Sequence, residues 1–312
     1  MSVEHVPVLK DELIASLNLR PDSVVIDCTT GLGGHIGEVL KVVSNGKVIG
    51  LDRDSMAIAT VKQKLSGEIA SGRLQIVNTA FSHLAEVCKT RNLTGEVDAI
   101  YADLGVSTLQ LATDFRGFSF QHEGPLDMRM DTSGGTTAAD LVNNSTDREL
   151  SDIFWRYGEE RFSRQIARAI VDERSKQKIE TTTQLAKIVE KVSFKKSKIH
   201  PATKVFQALR IAVNDELGEL ETVLRDSFEA LAPKGRLALI TFHSLEDRIV
   251  KQFFKGLAEP PTPHRSIPLR GSDLTAAIKA KIIKPFPIKP SDKEIKFNPK
   301  SRSAKLRVLE KI

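Results

Sequence analysis

The sequence predicts an α/β fold, a doubly wound parallel sheet, from three observations. Short β-branched or aliphatic runs alternate with helical stretches over residues 24–102. The first run, Val24-Val-Ile26, stops at Asp27 and breaks into a glycine-rich turn (Gly31, Gly33, Gly34, Gly37) before a helical segment from Glu38. Two later runs also end on an acid, at Asp52 and Asp103. Alternating β and α segments pack as parallel strands with helices on both faces. A strand, a glycine turn and a helix N-terminus bring backbone N–H groups against a nucleotide-like ligand.

In order, the expected strands are 24–28, 47–52, 74–79 and 97–102, each joined to the next through a helical stretch. A fifth, Arg236-Leu-Ala-Leu-Ile-Thr-Phe242, follows a turn at Pro233-Lys-Gly235. The interval between the fourth and fifth strands is too long for a loop. It reads as helical at 147–157, 161–177, where Ile166, Ala169 and Ile170 are helically spaced, and 184–192. Residues 135–200 are therefore expected to form a small helical insertion. His200-Pro201 returns the chain to the core, and helix 202–231 leads into strand five. The expected core is discontinuous, 1–134 with 201–312. Lys305-Leu-Arg-Val-Leu309 alternates like a strand, so the C-terminal end is expected to join the sheet.

Composition narrows the class. Apolar residues make up 40% of the 312, charged residues 28%, and no apolar run is long enough to span a bilayer. The N-terminal stretch carries an early acid and no basic region, so no targeting peptide is expected and the location is expected to be cytoplasmic. Cys28 and Cys88 read as reduced thiols, and the scattered His give no metal site. The net charge of +6 is uneven: residues 281–312 hold ten Lys or Arg against three acids, a net +7, which leaves about −1 on the rest. A basic, proline-punctuated tail on a near-neutral body suits a polyanion such as RNA, and equally a solvated tail.

The glycine spacing selects the ligand. A dinucleotide fingerprint needs G-x-G-x-x-G, yet from Gly31 and Gly33 the third position falls on Ile36; no P-loop string occurs either. Without a pyrophosphate grip, a phosphate-free adenosine compound fits, and S-adenosylmethionine is one. Taken alone, the same turn also suits an ordinary left-handed connection. Asp52, at the tip of the second strand, is placed to accept hydrogen bonds from ribose hydroxyls. In an open α/β sheet the strand tips Asp27, Asp52, Asp103 and His243 face one crevice.

Longer strings then carry a resemblance. They are His5-Val-Pro-Val-Leu, Asp27-x-Thr-x-Gly-x-Gly-Gly-His, Leu51-Asp-Arg-Asp, Asp103-Leu-Gly-Val-Ser, Arg116-Gly-Phe-Ser-Phe, Gly124-Pro-Leu-Asp-Met-Arg-Met-Asp131, Tyr157-Gly-Glu-Glu-Arg-Phe162, the stretch His200–Leu217, Phe242-His-Ser-Leu-Glu-Asp-Arg248 and Asn298-Pro-Lys-Ser-Arg-Ser-Ala. In order and nearly end to end, the chain resembles the ribosomal RNA small subunit methyltransferase H family, bacterial 16S rRNA cytosine-N4 methyltransferases. The resemblance implies a Rossmann-like class I S-adenosylmethionine-dependent methyltransferase sheet with an inserted helical domain toward the RNA substrate. It implies that Gly33, Gly34 and His35 line the methionine end of the cofactor, Asp52 its ribose and Phe81 its adenine, with Asp103 and Gln110 completing the pocket. The implied substrate is a decoding-centre cytidine of 16S rRNA in the small ribosomal subunit. Two departures stand in the loop leading to Arg116, where Leu109 replaces a proline and Ala112 an aspartate; Ile36 replaces a serine in the glycine turn.

For an unstacked base the sequence offers Phe118, Phe120, His122 and Asp127, with core packing the alternative role for the two phenylalanines. The Asn/Asp-Pro-Pro-aromatic string that many amino-methylating enzymes use is absent, so no catalytic base is assigned. Ser244-x-x-Asp247 reads as a helix N-cap rather than a nucleophile. Lys195-Lys-Ser-Lys198 is either a phosphate contact or a solvated loop. A non-catalytic RNA-binding or ribosome-assembly factor keeping the fold is the alternative to an enzyme. A nicotinamide oxidoreductase is disfavoured by the glycine spacing. The oligomeric state stays open, a dimer being one option.

Overall fold

The computed structural model describes residues 7–192, 200–260 and 278–312; His5 and Lys195–Lys198 lie outside the described residues. The chain divides into two compact units, 1–105 with 219–312, and 106–218. In chain order, unit 1 opens with α1 (Lys10–Leu17), β1 (Val24–Asp27), α2 (Gly34–Val42), β2 (Lys47–Asp52), α3 (Ser55–Lys64), α4 (Ser66–Ala70), β3 (Leu74–Asn78), α5 (Leu84–Thr90) and β4 (Val97–Asp103). Unit 2 holds α6 (Thr108–Ala112), α7 (Ala138–Asn144), α8 (Asp147–Gly158), α9 (Ser163–Arg174), α10 (Thr182–Val192) and α11 (Ala202–Asn214). After α12 (Glu216–Ala230), unit 1 closes with β5 (Leu231–Thr241), α13 (Ser244–Ala258), β6 (Ala280–Ile288), α14 (Asp292–Phe297) and β7 (Lys305–Lys311).

The seven strands lie in the order β3-β2-β1-β4-β5-β7-β6, the first five parallel, with β7 antiparallel to both β5 and β6. This is the expected α/β sheet. Strand alternation separates two cores. Val25, Val48, Ala99, Tyr101, Ala238, Ile240, Leu306 and Val308 face one layer, with Leu13, Leu17, Ile36 and Val39 of α1 and α2. Ile26, Ile49, Leu51, Ile100, Ala102, Leu237, Leu239 and Leu309 face the other, with Leu84, Leu220, Leu224, Val250 and Phe254. Both faces are buried, which is why these strands read as nearly continuous apolar runs.

Three expectations change. β5 begins at Leu231 and runs through Pro233-Lys-Gly235, the expected turn; the extra residues are taken up as an irregularity where Val97 pairs with Leu231 and Ala99 with Arg236. The single helix 202–231 is two helices, broken at Asp215 in the left-handed region (φ 45°). The second unit is wider than residues 135–200, for a packing reason. Phe118, Leu126, Met128 and Met130 join the helical core of α7–α11, and Asn214 accepts from Met130 N (2.8 Å) while donating to Met128 O (2.8 Å). Leu126 N donates to Glu180 O at 2.9 Å. The 116–130 loop and α11 thus belong to one core. Among the described residues, no helix is long and apolar enough to cross a membrane.

Candidate active site

The glycine turn after β1 is drawn across the tip of β2. Thr30 N–H donates to Leu51 O (3.0 Å), and Gly31 N–H donates to Asp52 Oδ2 (2.7 Å). The other carboxylate oxygen, Oδ1, accepts from Asp54 N (2.8 Å). Asp52 O in turn accepts from Thr79 N (2.9 Å) and Asn78 Nδ2 (3.0 Å), and so fixes the segment that opens a 3₁₀ turn at Phe81. One residue therefore anchors the glycine turn through its side chain and the Phe81 segment through its carbonyl. Each carboxylate oxygen keeps lone-pair capacity beyond the single N–H it accepts. Burial raises the Asp52 carboxyl above its ordinary value, opposed by the Asp54 and Gly31 N–H groups.

α2 starts behind this turn without a side-chain cap. Its N-cap is Gly33, left-handed at φ +73°, a conformation that glycine adopts without a Cβ penalty. A Cβ on Gly34 would lie 2.6 Å from Pro7 Cγ, so the segment before α1 closes directly over the turn. His35 is nearly buried; its Nε2 lies 2.9 Å from Val8 O, which accepts that N–H, and its Nδ1 lies 3.8 Å from Asp103 Oδ2. The helix thus presents the positive end of its dipole at the strand edge.

Asp103 at the tip of β4 donates its N–H to Thr29 Oγ1 (2.7 Å). Its Oδ1 is buried without a hydrogen-bond partner among the described residues. Burial, then the neighbouring Asp27 and Glu246 carboxylates, holds the Asp103 carboxyl well above the usual carboxylate range. Asp27 lies deeper, accepting from Tyr101 OH (2.9 Å) and Thr29 N (3.0 Å). Gly33, Gly34, His35, Asp52, Phe81 and Asp103 are therefore all on the carboxyl edge of the sheet in unit 1. The Tyr101–Asp27 and His35–Val8 bonds carry no motif and were not expected from the sequence.

The remaining expected residues divide. Gln110 belongs to unit 2, where its Oε1 accepts from Ser107 N (2.9 Å) and its N–H donates to Ser107 Oγ, a capping box that starts α6 despite Leu109 and Ala112. Asp127 is held by Arg129 through two hydrogen bonds of 2.8 and 2.7 Å; burial raises its carboxyl, but these bonds prevail and it sits below its ordinary value. Phe118 is buried with Arg116 over its ring (5.8 Å), and Phe120 stacks on His200 (4.5 Å). Both phenylalanines thus pack in unit 2, while His122 is exposed. The cap of α13 is His243, one residue earlier than expected. Its side chain accepts from Glu246 N, and Glu246 Oε2 accepts from Phe242 N (2.9 Å) and His243 N (3.3 Å). Asp247 instead holds Lys305 and Arg307 of β7.

The sequence matches the family described as the MraW methylase family over residues 2–312. It is 44% identical to a Heliobacterium mobile protein named ribosomal RNA small subunit methyltransferase H, over all of both chains. A Clostridioides difficile protein of the same name is also 44% identical over all of both chains. The Brevibacillus brevis protein of that name is 40% identical over all of this chain and 99% of its own. With the match running end to end through the strand-edge residues described above, the chain belongs to the MraW methylase family.

Proposed function

We propose that this protein transfers a methyl group from S-adenosylmethionine to the N4 exocyclic amine of a decoding-centre cytidine in 16S rRNA. The observation that carries the reading is the strand edge organised around Asp52: a glycine turn and capless helix on one side, an aromatic segment on the other, and no pyrophosphate grip. The full-length relatives named for small-subunit rRNA methylation support it.

In this reading Gly33, Gly34 and His35 line the methionine end, Asp52 accepts from the ribose hydroxyls, and the Phe81 ring packs on adenine. Asp103 completes the pocket from β4, and Gln110 is the remaining residue proposed for cofactor binding. The residues present fit such a group, because the buried, unpartnered Asp103 Oδ1 suits a cationic or hydrogen-bonding ligand. S-adenosylmethionine supplies an electrophilic methyl carbon; the amine of cytosine is a weak nucleophile, so positioning by this edge provides much of the rate. Unit 2, with its helical core, takes the RNA side, and the protein works in the cytoplasm on the small ribosomal subunit.

Two measurements test the reading. Calorimetry with S-adenosylmethionine is expected to show binding by the wild type and at least tenfold weaker binding by Asp52→Ala, since hydrogen bonds to a charged group contribute about 1.5–3 kcal/mol each. Mass analysis of 16S rRNA from a deletion strain is expected to show loss of one cytidine N4-methyl mark. Unchanged methylation there would overturn the assignment.

A further inference from the structure

Seven of the ten cations of residues 281–312 fall into two groups. Lys305 and Arg307 bind Asp247 (3.0 and 2.9 Å), and Lys311 Nζ donates to Phe228 O and Leu231 O (2.9 and 2.7 Å). These cations fasten β7 to its neighbours. Lys289, Lys293, Lys296 and Arg302 are exposed, and none pairs with an acid among the described residues. Among them sits Phe297, 75% exposed and the most open large apolar side chain described.

α14 arranges these groups. Glu294 and Ile295 turn inward and half-buried, which places Lys293, Lys296 and Phe297 on the opposite face of the helix. Glu294 Oε1 accepts from Leu9 N (2.8 Å), and Ser291 caps the first turn. Leu9 follows Pro7 and Val8, the two residues that close over Gly34 and hold His35. The cationic and aromatic face is thereby tied, through one short segment, to the glycine turn. Asp292 is the one acid left exposed on α14.

We propose that Lys289, Lys293, Lys296, Phe297 and Arg302 form a docking surface for single-stranded RNA, with phosphates on the cations and one unstacked base on the Phe297 ring. Exposed cations without an acid partner among the described residues, on and beside the short helix that carries an open aromatic ring, match the chemistry of a flexible strand, which offers regularly spaced phosphates and exposed base faces. This rests on the reading above that the substrate is an RNA, and it adds where the strand lies relative to the methyl-donor edge.

The test titrates a short single-stranded oligoribonucleotide against wild type, Lys293→Ala/Lys296→Ala, Phe297→Ala and Phe297→Tyr at several salt concentrations. The double variant is expected to lower the slope of log affinity against log salt by about 1.4, near 0.7 per lost phosphate contact. Phe297→Ala is expected to weaken binding about tenfold, and Phe297→Tyr, which keeps the ring face, to restore it. All three variants should keep wild-type affinity for S-adenosylmethionine in calorimetry. Unchanged RNA affinity and salt slope in variants of an RNA-binding wild type overturn the docking surface and leave the function intact. A wild type that binds no RNA overturns both. If Phe297→Ala instead dissociates a dimer in sedimentation with RNA affinity unchanged, the face belongs to a second copy and the proposal falls.

Discussion

Tyr101 donates its hydroxyl to Asp27 where water is excluded, and the pair sets a pH dependence of folding that neither residue announces in the sequence. Burial pushes the Asp27 carboxyl from an ordinary 3.8 up to about 7, against the lowering effect of the Thr29 and Tyr101 hydrogen bonds. The folded chain therefore holds this proton more tightly than the unfolded one. The stabilisation is fully present below about pH 4 and is lost as pH rises through about 7, at most about 4 kcal/mol by linkage. Asp27→Asn keeps an acceptor for Tyr101 and removes the titration. Urea unfolding of wild type and variant at about pH 4 and pH 7 is expected to show the wild type losing more stability across that window. Parallel curves would mean that the carboxyl ionises normally. Asp52 behaves differently in one respect: an acid closing an apolar run after a glycine turn could be found by spacing alone, whereas the partners of Asp27 and His35 come from segments 74 and 27 residues away.

Among elements, β1 and β2 were legible because both faces of the sheet are buried there, so each is a short apolar run bounded by turn residues. β3 and β4, interrupted by Gln75 and Asp98, were legible from their place in the alternation of strands and helices. β6 was not. Its Ala280-Lys-Ile-Ile-Lys-Pro-Phe-Pro-Ile288 carries two prolines and two lysines and fills the sheet edge, where prolines lacking N–H groups are tolerated, with both prolines in the irregular stretch between Ile283 and Ile288. β7 was legible by alternation, but its fastening to α13 was not. Asp247 binds both Lys305 and Arg307, and Arg307 is 4% exposed with its guanidinium 4.3 Å from the Phe286 ring. Asp247→Ala leaves a buried guanidinium without its carboxylate and is expected to cost about 3 kcal/mol in chemical unfolding. Lys305→Ala removes a half-exposed partner and should cost less than about 1 kcal/mol. Equal effects of the two substitutions would show that Arg307 finds other compensation.

At the scale of the whole molecule, the sequence located an interruption between β4 and β5 but drew it too small, because the loop 116–130 has no helical period and joins unit 2 only through tertiary contacts. Asn214 is the clearest of these: it exchanges hydrogen bonds with Met130 N and Met128 O, all buried. Removing its amide leaves a buried N–H and a buried carbonyl without those bonds, at about 1–3 kcal/mol for each group. The chain also carries its own reporters. The sole tryptophan, Trp155, lies in unit 2, and both cysteines, Cys28 and Cys88, are free and buried in unit 1. Units with separate cores need not unfold in one step. Asn214→Ala is therefore expected to move the denaturant midpoint of Trp155 fluorescence to lower concentration by an amount equivalent to about 2–6 kcal/mol. The midpoint for thiol labelling of Cys28 and Cys88 should stay where it is in the wild type. If the two midpoints move together, the chain unfolds as one cooperative structure despite its two cores; if neither moves, the Asn214 bonds do not hold the loop in unit 2.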